Sequence, residues 1–221
     1  MSLFPSLEEL DRDGAIREAA ERVDGNTRAS FLKKAGVGAG AVVGSSAFFS
    51  VLPSIASAGV AASDVAILNF ALTLEYLEAA FYTEAVQKGK FSGNVGRFAS
   101  VVHTHEVAHV GFLKGALGSA AVKKPNFDFK GTTADQAKFE ATSELLEYTG
   151  VSAYLGQVGN IKSKKVLGAA GSILPVEAWH AAWIADIRRH GANPSPAPTA
   201  FAKGKTKAQI LAAVKATGFI V

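Results

Sequence analysis

The amino-acid sequence predicts an all-α fold, a bundle of four long helices with one long crossover between the second and the third. Three observations carry that prediction. From Asp64 onward the apolar residues recur with a helical period, and no stretch alternates with the period of two that a strand requires. Four such segments of similar length follow one another. The links between the first and second and between the third and fourth are short, whereas fifteen residues, GSAAVKKPNFDFKGT, separate the second from the third without any helical period. Short links make two antiparallel hairpins, and the long one carries the chain across the bundle.

Ahead of the bundle the composition changes twice. Residues 1–34 are polar and charged, and Ala35 to Ser63 then contains no ionisable side chain. Inside it, GVGAGAVVGSSAFFSVLPSIASA ends in Ala56-Ser57-Ala58, a small-residue cleavage pattern, so residues 1–58 are expected to be an export signal. Its modest hydrophobicity suits the twin-arginine route, and Thr27-Arg28-Ala29-Ser30-Phe31-Leu32-Lys33 resembles the consensus of that route with Ala29 in place of the second arginine. An uncleaved membrane anchor is the alternative. A buried core helix is disfavoured by Gly36, Gly38, Gly40, Gly44 and Pro53.

The bundle is expected over residues 59–192. Asp64 is placed to cap the first helix, which ends at Gly89. The second runs from about Val95 to Leu117, the third from about Thr133 to Gly159, and the fourth from about Ser163 to His190. Pro175 is expected to kink the fourth. Residues 193–221 form a Pro-rich tail and a short helix near Lys205–Ala216, whose apolar tip is expected to dock on the bundle or on a second copy in a homo-oligomer.

Composition excludes several chemistries. The chain has no cysteine, which removes disulfides, thiolate metal sites and thiol catalysis. Any metal must be held by imidazoles and carboxylates. Residues 1–58 hold 6 of the 23 Lys/Arg and 7 of the 19 Asp/Glu, which leaves the remainder at a net charge of +5. Those charges are scattered, with no basic stripe interleaved with aromatics, so nucleic acid is not an expected partner.

The chemistry lies at helical spacing. In ILPVEAWH of the fourth helix, Glu177 and His180 are three residues apart and share one helix face. HTHEVAHVGFL of the second helix repeats the spacing with Glu106 and His109. The first and third helices each carry Glu-Tyr with a second tyrosine seven residues after the glutamate: Glu75 with Tyr82, and Glu147 with Tyr154. Glu75 precedes Glu106 by 31 residues and Glu147 precedes Glu177 by 30, so the halves read as an internal repeat. In that register Glu78 aligns with Gly150 and Glu144 with Leu72, which favours Glu75 and Glu147.

Four carboxylates and two imidazoles with approximate two-fold symmetry suit two iron or manganese ions. Two divalent cations balance four buried carboxylates, whose uncompensated burial costs on the order of several kcal/mol each. Tyr82 and Tyr154 can donate hydrogen bonds to the ligand carboxylates, relay electrons, or only fill the core. Glu78, Glu144 and His103, one turn before Glu106, are further candidates beside the metals.

EYLEAAFY, HTHEVAHVGFL, ELLEYTGVSAYLG and ILPVEAWH together resemble the ferritin-like domain family that includes desiccation- and stress-associated proteins, and more distantly rubrerythrin and bacterioferritin. The resemblance covers about residues 64–190. It implies a ligand set of Glu75, Glu106, His109, Glu147, Glu177 and His180. O2 or a peroxide is the expected reacting partner of such a centre. The expected function is an exported dinuclear iron or manganese protein in oxidative-stress protection. Its rival is a non-catalytic envelope or desiccation-protection protein that keeps the metal for stability.

Overall fold

A computed structural model describes residues 61–189, 196–197 and 199–221. The export signal expected over residues 1–58, the end of the fourth helix at His190 and most of the Pro-rich tail lie outside the described residues.

Five α-helices occur among the described residues: α1 (Ala62–Lys88), α2 (Gly93–Leu117), α3 (Gln136–Val158), α4 (Lys164–Arg189) and α5 (Lys207–Thr217). Helix α1 packs chiefly on α2, and α3 on α4, with smaller contacts joining α1 to α3 and α2 to α4. This is the pair of hairpins that the link lengths predict. A 3-10 turn over Gly118–Ala120 ends α2 and opens the crossover to α3. Asn69 of α1 fastens that crossover, its side chain donating to the Ala120 carbonyl and accepting from the Val122 amide.

The helix ends follow local chemistry with one exception. Asp135 caps α3 by accepting from the Lys138 amide, and Thr206 and Gln209 form a reciprocal capping box on α5. Asp64, by contrast, does not cap its own helix. It lies buried inside the first turn of α1, and its carboxylate accepts the backbone N–H groups of Lys162 and Ser163 at 3.1 and 2.7 Å. The start of α1 is thereby tied to the start of α4, where free amides and the positive end of the helix dipole favour an anion. Helix α4 remains helical through Pro175.

The C-terminus docks on the bundle. Helix α5 packs on α3, and Gly218 closes it at φ 64°, a backbone conformation that a side chain would strain. Beyond it Phe219 is buried against Phe129, and Asp128 donates its amide to the Phe219 carbonyl at 2.8 Å. Of the two tryptophans, Trp183 packs edge-on against Phe98 beneath Arg97, whereas Trp179 is 67% exposed.

Two apolar clusters fill the bundle, and each of the four long helices contributes to both. One contains Leu77, Phe81, Phe98, Phe139 and Ile184, and the other Leu72, Leu113, Leu117, Val166 and Ile173. Helix α1 is apolar and long enough to cross a membrane, but two thirds of its most apolar stretch faces the other helices. Between the clusters every helix of the bundle places buried polar residues: Glu75 and Glu78, Glu106 and His109, Glu147, and Glu177 and His180. A polar belt across the middle of a core is costly unless its groups are compensated.

Candidate metal centre

The belt brings together all six residues nominated from the sequence. Their donor atoms form two overlapping groups in which every atom lies within 4.8 Å of the others. Glu75, Glu106, His109 and Glu177 make one, and Glu106, Glu147, Glu177 and His180 the other. Glu106 and Glu177 belong to both. Each helical pair arises because residues i and i+3 share a face, and the packing of α2 on α4 then sets the two faces opposite one another.

The imidazoles point into the carboxylates. Nδ1 of His109 lies 3.1 Å from Glu75 Oε2, 3.2 Å from Glu106 Oε2 and 3.2 Å from Glu177 Oε1. Nδ1 of His180 lies 3.1 Å from Glu106 Oε1 and 3.2 Å from Glu147 Oε2. Glu106 thus gives one oxygen to each half. Several of these contacts are close without the alignment of a hydrogen bond. Glu106 Oε1, Glu147 Oε2, both oxygens of Glu177 and Nδ1 of His180 are buried without a hydrogen-bond partner.

The tyrosines cross between hairpins. Tyr82 of α1 donates its hydroxyl to Oε1 of Glu147 on α3, and Tyr154 of α3 donates to Oε1 of Glu75 on α1. Each bond holds one carboxylate oxygen and leaves the other, Glu147 Oε2 or Glu75 Oε2, beside an imidazole.

The remaining candidates separate. Glu78 joins the belt: it is 3% exposed, its Oε2 has no hydrogen-bond partner, and Glu177 is the charge that acts on it most. Gly150 makes room opposite, since a Cβ there would lie 2.6 Å from Glu177 Oε2 and 3.5 Å from Glu78 Oε1. Glu144 is drawn away from the belt by Arg188 and Arg189, which both bind its carboxylate. Partial burial would raise its pKa, but the two guanidiniums hold it below the usual range. His103 is half-buried and makes no hydrogen bond or ion pair with the six. The neighbouring His105, absent from the sequence-based candidates, meets the site instead, with Nδ1 2.8 Å from Nε2 of His180. Its spacing of four from His109 was the available signal.

Electrostatics shows what the belt lacks. Every ion-pair partner of Glu75, Glu106, Glu147 and Glu177 is an imidazole. Burial and the neighbouring carboxylates push Glu78 and Glu177 well above the carboxylate range, and burial raises Glu75 to about 7 despite His109. Burial also raises Glu147, while Glu106 falls below the usual range because both imidazoles outweigh its burial. Burial alone would lower both histidines. Glu75, Glu106 and Glu177 instead hold His109 far above its usual value, and Glu106 and Glu147 hold His180 up at about 10. Without a cation, the cluster is neutral only by retaining protons that carboxylates and imidazoles normally lose at neutral pH.

A metal ion answers each of these features. Ligands about 2.1 Å from an octahedral ion stand about 3 Å apart along its edges. The spacing of the imidazole nitrogens and carboxylate oxygens is of that size. Buried oxygens with no donor are acceptors for a cation, and hard oxygens with two nitrogens suit first-row divalent metals. The donor set therefore fits metal ions.

No curated protein matches the chain. The model of the ferritin-like domain family matches residues 63–190, which takes in all four long helices and the whole belt. The chain belongs to the ferritin-like domain family.

Proposed function

We propose that Glu75, Glu106, His109, Glu147, Glu177 and His180 hold two iron or manganese ions, and that the protein is an exported redox protein acting on O2 or a peroxide in protection against oxidative stress. The observation that carries this reading is the pair of overlapping donor groups sharing Glu106 and Glu177. Two shared carboxylates between two terminal Glu/His pairs fit two ions and balance their charge. When bound, a pair of redox-active ions supplies electrons to an oxidant.

The chain's own residues prepare the site for that chemistry. Glu106 turns one oxygen toward each imidazole and Glu177 belongs to both donor groups, so each would be able to bind through one oxygen or two as the charge of the centre changes. Tyr82 and Tyr154 fix the orientation of Glu147 and Glu75 by holding their outer oxygens. The two apolar clusters keep bulk water from the belt on either side.

Metal analysis of wild type beside the Glu106→Ala/Glu177→Ala double variant tests the centre. Wild type is expected to carry about two ions per chain and the variant almost none. Equal metal content would remove the foundation of the reading. Peroxide consumption or ferrous oxidation by the loaded protein then tests the activity. A second reading, a metal kept for stability, is favoured by the burial of all six side chains, and an inert loaded protein would select it. Export is tested by the size and location of the cellular protein, where unprocessed cytoplasmic chain would contradict it.

A further inference from the structure

We propose that His105 is a positioning residue for His180, turning its Nδ1 inward as a metal ligand and making the Glu147/His180 position the tighter of the two. The inference rests on the metal-centre reading above.

The geometry is that of a paired imidazole. Nδ1 of His105 lies 2.8 Å from Nε2 of His180, with the ring planes 20° apart. A neutral imidazole has one donor and one acceptor nitrogen, so one ring must give and the other receive. His105 is exposed, and water is open to it for the hydrogen bond that its own Nε2–H needs. When Nδ1 of His105 accepts, Nε2 of His180 carries the proton and Nδ1 of His180 keeps its lone pair. That nitrogen is buried without a hydrogen-bond partner, 3.1 and 3.2 Å from oxygens of Glu106 and Glu147. A lone pair facing two carboxylates is repelled unless a cation lies between them.

The internal repeat gives the other imidazole no such partner. Glu106 and His109 correspond to Glu177 and His180, and in the same register His105 corresponds to Val176. Nδ1 of His109 instead hydrogen-bonds to Glu75 and Glu106. One ring is therefore fixed from outside in its ligand form, and the other is held by the carboxylates themselves. A fixed tautomer and ring orientation lowers the cost of metal binding, and loss of such a partner typically weakens affinity by about 10- to 100-fold.

Zn2+, which is diamagnetic, is the probe. Calorimetric titration of the metal-free full chain is expected to show two steps in wild type. Histidine-selective 15N spectra of the loaded protein are expected to show His180 protonated at Nε2. In His105→Leu the tighter step should weaken by about 10-fold or more while the weaker step holds. His105→Asn, whose amide oxygen can accept in place of Nδ1, should restore both the tautomer signal and the tighter step. Because His105 is exposed, thermal melting of both variants in the metal-free state should match metal-free wild type. An unchanged tighter step in His105→Leu overturns the inference while leaving the metal centre intact, and His180 protonated at Nδ1 overturns both the inference and the place of His180 among the ligands. Wild type that binds no Zn2+ overturns the centre itself, and the inference with it.

Discussion

The donor group that contains Glu75 and His109 and the one that contains Glu147 and His180 have the same residue types, share Glu106 and Glu177, and receive mirrored tyrosines. They differ in what surrounds them. On α1 the chain places Glu78, where the repeat in α3 has Gly150, and His180 has an imidazole partner that His109 lacks. The repeat thus accounts for the shared donors, and single-residue departures from it account for the environment. Two like positions in unlike surroundings are expected to bind and respond differently, and the variants below separate the shared features from the private ones.

The largest effect should come from the shared carboxylates. Glu106→Ala or Glu177→Ala alone is expected to abolish both ions, whereas Glu75→Ala or Glu147→Ala removes one. Elemental analysis after manganese loading reads the difference. A Glu177→Ala variant that keeps one ion per chain would show that the positions do not share it.

Protons and metal compete for the same groups, which gives the next effect. The folded protein holds Glu75 at about 7, above its ordinary value of 4.5, so its protonated form is favoured by folding. That contribution is present below pH 4.5 and is lost as pH rises through 7. His180, raised from 6.5 to about 10, adds stability fully present below pH 6.5 and lost as pH rises toward 10. Glu106 has the opposite sign, but its contribution changes only as pH falls below 4.5. Between pH 5 and 8 the metal-free protein should therefore lose stability. The loaded protein, with its ligands deprotonated throughout, should not. The gap between their melting temperatures is expected to widen by about 5 °C or more across that interval. A constant gap would mean that metal does not replace protons in the belt.

How much of this was legible in the sequence depends on how local each signal is. The Glu-x-x-His pairs were readable because three residues on a helix fix a common face whatever the tertiary packing. The hairpins and the crossover followed from link lengths. His105 was missed in favour of His103, because only the packing of α2 on α4 decides which flanking imidazole meets His180. Glu144 lies one turn from Glu147 and looked like a neighbour of the site, but Arg188 and Arg189 at the far end of α4 claim it. Asp64 carries the sequence signature of a cap, yet its partners are amides nearly a hundred residues away. Signals within one helix survive folding, and those that need a second element do not.

The Glu78/Gly150 difference is the next to probe. Gly150→Ala places a Cβ 2.6 Å from Glu177 Oε2, so that carboxylate must move. Manganese affinity is expected to fall on the order of 10-fold, the size of a misoriented ligand. Glu78→Gln keeps the shape of the protonated acid that burial and Glu177 enforce. It should shift the melting temperature of metal-free protein at pH 6 by less than about 2 °C. Tight manganese binding by Gly150→Ala would show that the space beside Glu177 is not needed.

The smallest effect tests the symmetry that remains. Tyr82 sits among aromatic rings, edge-on to Phe81 at 5.2 Å and to Phe98 at 5.9 Å, whereas Tyr154 borders a small apolar cavity with Leu68, Leu113 and Val166. A phenylalanine ring suits both places, so Tyr82→Phe and Tyr154→Phe each remove little besides one hydrogen bond to a carboxylate. Each should destabilise the loaded protein by about 1 to 2 kcal/mol, seen as a fall of several °C in melting temperature. Because the hydroxyls hold equivalent oxygens, the two losses should agree even though the surroundings of the rings do not. If Tyr154→Phe were neutral while Tyr82→Phe was not, the Glu75 position would not depend on its tyrosine. The inequality between the two positions would then reach the ligands themselves.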